Sequence, residues 1–140
     1  MTRITESEFD DIFFHYLKIF RNYTKLNILK NVTYILLDKP CIESSSCKIR
    51  DIAQTAISFG NYAEMIYTNK ILQDRYVAEA IVAHEFGHII DPWLKDNVQG
   101  KEKRADMLAE LVTGNRIYYN KEKIQTFSKG EFPRPSGIHQ

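Results

Sequence analysis

Apolar residues recur at three- and four-residue steps from Phe9 to Tyr23, through Ile12, Phe13, Tyr16, Leu17 and Phe20, which predicts a helix with one strongly apolar face. Thr5 or Ser7 can cap its start, and Glu8 follows Thr5 by three residues, the spacing of a capping box. The period then changes. Val32-Thr33-Tyr34-Ile35-Leu36-Leu37 is a β-branched and aromatic run ended by Asp38-Lys39-Pro40, a first strand. Thr55 to Phe59 and Ala63 to Thr68 flank a Gly60-Asn61 turn and predict two antiparallel strands. Helical spacing returns from Asp74 to Ile90 and stops at Asp91-Pro92. A polar loop through Asp96-Asn97-Val98-Gln99-Gly100 leads to a third helix, expected from about Lys101 to Tyr118. Beyond Phe127, two prolines and two glycines without periodicity predict a tail lacking regular structure. The order of elements is that of an α+β protein: an N-terminal helix, a short antiparallel or mixed sheet, then two more helices. With 140 residues, one core is expected, over residues 1–127, followed by a flexible tail over 128–140.

Charge narrows the partners. Nineteen basic and eighteen acidic residues leave a net charge of +1, no overall field for gathering nucleic acid or an anionic membrane. No apolar run approaches the roughly 20 residues of a bilayer span, and Met1 to Glu6 lacks the organisation of a signal peptide. The expectation is a cytoplasmic protein without nucleic-acid or membrane partners. Cys41 and Cys47 lie six positions apart in a Ser-rich stretch and are expected as two reduced thiols; a small disulfide loop and a metal-binding pair are the alternatives.

The second helix carries the chemistry. His84 and His88 are four apart, so their imidazoles share one helical face and can address one ion. Glu85 is rotated by about 100° from His84, a position beside that ion suited to taking a proton from metal-activated water. Zn2+ accepts two imidazoles and a carboxylate while leaving a fourth position for water. The next helix offers Glu102 and Asp106, again four apart. With Glu102 as third ligand, Asp106 could accept the ring N–H of a ligating histidine and fix its tautomer. The bland reading of both is a solvated charge run among Lys101, Lys103 and Arg104; against it, Ala105, Leu108, Ala109 and Val112 give that helix a face for close packing. Glu110 is the fallback ligand and Asp91 a more distant one. Gly87 suggests a close approach of neighbouring backbone, and Phe86, Ile89 and Ile90 are expected to face the sheet.

Read together, His84-Glu85-Phe86-Gly87-His88 and Glu102-Lys103-Arg104-Ala105-Asp106 resemble the paired motifs of the glutamate-zincin metallopeptidases. The nearer resemblance is to the ImmA/IrrE-like group of small bacterial and phage-associated metallopeptidases, carried by Leu72 to Ala83 and by Ala105-Asp106-Met107-Leu108-Ala109-Glu110-Leu111; it covers roughly Ala56 to Thr113. The resemblance implies a compact zincin-like fold and a zinc-dependent endopeptidase acting on a peptide or protein substrate, in many such groups a regulatory protein. It makes His84, His88 and Glu102 the ligands, Glu85 the general base and Asp106 the partner behind the ligands. It also implies an edge strand holding extended substrate, assigned to Ala63–Thr68. The sequence departs from the pattern in its link of only 14 positions from His88 to Glu102, which demands a tight turn, and in lacking a proline after Leu111-Val112, where the helix is expected to continue through Gly114. Candidate donors to an oxyanion are Tyr118, Tyr119 and His139. The rival function is a catalytically inactive zinc-containing interaction module, which a cysteine near the ion would favour. A tail lying in the cleft is a third possibility.

Overall fold

Helix α1 (Glu6–Tyr23) begins with the expected reciprocal cap: the Glu8 N–H donates to Thr5 Oγ1 and the Thr5 N–H to Glu8 Oε1, each at 3.1 Å. In this computed structural model the described residues are 3–43, 52–59, 61–92, 96–119 and 124–128. Phe9, Ile12, Phe13, Tyr16, Leu17 and Phe20 of α1 are buried, whereas Tyr23 is exposed, so the apolar stripe ends at Phe20. Phe9 meets Tyr34 and Tyr67 edge to face, which fastens α1 to the sheet.

The sheet has three strands among the described residues: β1 (Val32–Leu37), β2 (Ala53–Ser58) and β3 (Tyr62–Thr68), in the order β1-β3-β2. The antiparallel pairing of β2 with β3 is as expected. The placement of Ala63–Thr68 at the edge is corrected: β1 pairs with β3 in parallel, Val32 opposite Ala63 and Leu37 opposite Thr68, so both ladders of β3 are occupied. A central position suits β3, whose Ala63, Met65 and Tyr67 are fully buried. Among the described residues, β1 and β2 are the two edge strands.

Helix α2 (Arg75–Ile90) is buried without a break from Ala80 to Gly87, because α1, β2 and the following helix surround it. Phe86 packs on Phe13 and Phe20, with ring centroids 5.3 and 5.4 Å away, so it faces α1 rather than the sheet. Helix α3 (Val98–Thr113) starts three residues before the expected Lys101, capped by the Asn97 side chain, which accepts from the Gly100 N–H at 2.7 Å. It also stops well before Tyr118. Gly114 adopts φ 75°, its N–H closing on the Glu110 carbonyl at 2.8 Å, a left-handed cap that a residue with a Cβ rarely forms. The chain then forms an unanticipated antiparallel pair, β4 (Asn115–Tyr119) and β5 (Ile124–Ser128). The arrangement is α+β, and no helix among the described residues is long and apolar enough to cross a membrane.

The expectation of reduced thiols is corrected at Cys41, which is buried and disulfide-bonded. The chain after β1 folds inward there, with the Thr68 hydroxyl donating to the Pro40 carbonyl at 2.9 Å. Ser128, placed by the sequence in the tail, instead ends β5 opposite Asn115, while Cys47 and residues 129–140 lie outside the described residues.

Candidate metal centre

One turn of α2 brings the Nε2 atoms of His84 and His88 to 3.1 Å, with the rings nearly perpendicular. From α3, Glu102 Oε2 reaches the same place, 2.5 Å from His88 Nε2 and 3.4 Å from His84 Nε2. Two ligand atoms held at about 2.0–2.1 Å from a tetrahedral zinc ion stand about 3.3 Å apart. Two of the three separations have that size; the His88–Glu102 approach is a hydrogen-bond length and would widen by about 0.8 Å around an ion. Asp106, one turn beyond Glu102, lies behind the cluster, its Oδ1 2.7 Å from His84 Nδ1. Glu102 and Asp106 thus address opposite nitrogens of one imidazole.

Glu85 is placed differently. Its Oε2 lies 3.8 Å from His84 Nε2, while Oε1 accepts a hydrogen bond of 2.7 Å from the Thr55 hydroxyl on β2. Both His84 and Glu85 are nearly inaccessible to solvent, and His88 is half-buried. Burial opposes protonation of His84, but the carboxylates of Asp106, Glu102 and Glu85 outweigh it and raise the imidazole pKa to about 10. Burial likewise works against ionisation of Glu102, and hydrogen bonds from His84 and His88 overcome it, holding that carboxyl well below its ordinary range. Such a buried site needs a cation, and a proton on His84 meets that need when no metal does. The His84, Glu85 and His88 donor atoms lie within 4.8 Å of one another, a cluster capable of coordinating a divalent ion such as Zn2+.

Two further contacts hold α2 and α3 in place. A Cβ added to Gly87 would stand 3.1 Å from Ala105 Cα, so the absence of a side chain lets the helices approach where both motifs lie. Arg104, two residues after Glu102, grips the buried Asp91 through Nε and Nη2 at 3.0–3.1 Å and Asp96 through Nη1 at 2.7 Å. Arg104 thus ties two acidic residues of the short link from His88 to Glu102 to α3.

The other candidate ligands are engaged elsewhere. Glu110 pairs with Arg116 at 2.8 and 2.9 Å, Asp91 with Arg104, and Cys41 in its disulfide. Tyr118 and Tyr119 lie in β4, their side chains outside what is described, as is all of His139. Thr55 and Arg104 were not anticipated from the sequence. Thr55 precedes Glu85 by 30 positions with no local signal linking them, and Arg104 is hidden in a charged run, although acidic Asp91 and Asp96 just upstream offered a clue.

The cluster resembles an HExxH site carried on an α-helix and is consistent with a zincin-type metal-binding fold. No protein-family model matches the chain, and neither a curated protein nor a solved structure does.

Proposed function

We propose that this chain is a zinc-dependent endopeptidase of the glutamate-zincin kind, with His84, His88 and Glu102 as ligands and Glu85 as general base. The observation that carries this reading is the contrast between two carboxylates. Glu102 Oε2 lies against both imidazole Nε2 atoms, whereas Glu85 stands back, with one oxygen bound by Thr55 and the other toward the centre. A purely structural site has no use for the second arrangement.

When bound, a zinc ion supplies Lewis acidity toward a peptide carbonyl and toward water. Asp106 accepts the Nδ1 proton of His84, leaving Nε2 as the electron-pair donor. Glu85 Oε2 takes a proton from the attacking water and delivers it to the departing amine nitrogen, so the carboxylate ends the cycle as it began. An extended substrate would add to β2, the edge strand beside α2, in place of β3. A regulatory protein is the substrate class suggested by the ImmA/IrrE-like resemblance.

Metal analysis and a fluorescein-casein assay on wild type and Glu85→Ala test the reading. The expected result is one zinc per chain in both proteins, with hydrolysis lost in the variant. Equal hydrolysis in the two would overturn it. Zinc retained by an inactive wild type would instead favour the non-catalytic interaction module.

A further inference from the structure

We infer that Thr55 is a positioning residue that fixes the plane of the Glu85 carboxylate so that one oxygen faces the metal centre, an assignment that rests on the peptidase reading above. The Thr55 hydroxyl donates to Glu85 Oε1 at 2.7 Å, an ordinary length for a hydroxyl hydrogen bond. A carboxylate acting as general base only accepts, so the proton in this bond is the hydroxyl's. With Oε1 occupied, Oε2 is the oxygen directed at the side of His84 Nε2, 3.8 Å away.

Glu85 cannot hold this orientation by itself. Its carboxylate ends a chain of three rotatable bonds, and the last torsion is broad, so the plane of the group turns easily. Thr55 is a better anchor. Its branched Cβ restricts χ1, and its backbone is fixed by pairing opposite Met65 in the fully paired central strand β3. The packing of α2 on β2 then sets the distance between hydroxyl and carboxylate.

Because Glu85 is only 4% exposed, water is a poor substitute for this donor. Removing it should disturb the proton-transfer step more than substrate or metal binding, since Thr55 is not among the groups that surround the two Nε2 atoms.

Thr55→Val keeps the shape and removes the hydroxyl; Thr55→Ser keeps the hydroxyl. With fluorescein-casein as substrate, Thr55→Val should lower kcat by roughly 10-fold, a part of the 10²–10⁴ that general-base catalysis contributes. KM and zinc content should be unchanged, and Thr55→Ser should restore most of kcat. Crystal structures of the metal-free proteins give a second readout: the Glu85 carboxylate should keep its orientation in wild type and Thr55→Ser and rotate in Thr55→Val. An active wild type matched in kcat by Thr55→Val, or a Thr55→Ser as impaired as Thr55→Val, overturns the role of Thr55 while leaving the peptidase reading intact. An inactive, zinc-bearing wild type overturns both.

Discussion

Arg104 holds Asp91 through two guanidinium nitrogens at 3.0–3.1 Å, joining the residue three places after His88 to the turn of α3 that presents Glu102. Asp91 is buried, so the pair fixes backbone on both sides of the cluster instead of decorating the surface. On the proposed reading, a contact outside the proposed ligands would help to place Glu102.

Arg104→Gln should weaken zinc retention by about 10-fold, the lower end of what residues supporting a metal ligand contribute. Competition with a chromophoric chelator measures this directly. Arg116→Gln is the control, because it removes an ion pair with Glu110 instead of one with Asp91, and should leave affinity unchanged. Equal affinities for wild type and Arg104→Gln would show that the loop reaches its geometry without the clamp.

Gly87→Ala tests the contact between α2 and α3. Alanine favours the helix by about 1 kcal/mol, but its methyl would crowd the Ala105 backbone at 3.1 Å, and overpacking of this kind costs about 1–3 kcal/mol. The expected net loss is about 1 kcal/mol, read from urea denaturation of the chelated protein, with weaker zinc binding as the helices part. A stabilised variant would mean that α3 yields without penalty.

The stability of the metal-free chain should fall as pH rises. The His84 pKa is raised from 6.5 to about 10, so its contribution is complete below 6.5 and lost as pH climbs toward 10. Glu102 is shifted the other way, below 4.5, and its contribution is present above that value and lost as pH falls. On the proposed reading zinc would have to displace the His84 proton, so its affinity should grow over the range in which the metal-free cluster weakens. Melting temperatures with chelator and with zinc, from pH 6.5 to 9, should therefore diverge. Asp106→Asn should flatten the decline of the chelated protein, because it removes the largest contribution raising the His84 pKa. A gap that stays constant with pH would contradict this linkage.

Local order was legible in the sequence wherever a short-range rule governed it. The Thr5–Glu8 cap, the buried stripe of α1 and the four-residue spacing of His84 and His88 follow from backbone geometry within a few turns. The spacing of Glu102 and Asp106 also foresaw that one helix would bring two carboxylates to the cluster. Gly114 carries a stop signal within the sequence, since glycine just after a helical pattern supplies the left-handed cap, and the expected continuation of the helix through it is overturned.

Tertiary structure alone decided the rest. Two strands joined by a turn foretell a hairpin but not which of them lies inside the sheet; that was settled when β1, some 30 residues upstream, paired with the far side of β3. The same long-range closure left β2 with a free side, put Thr55 against Glu85, and sent Glu102 and Asp106 to opposite nitrogens of His84. The sequence by itself determined which groups could meet on a helical face, because the helix imposes its own period. Which oxygen or nitrogen each group meets depends on how helices and sheet pack, and that energy is shared among contacts far apart in the chain.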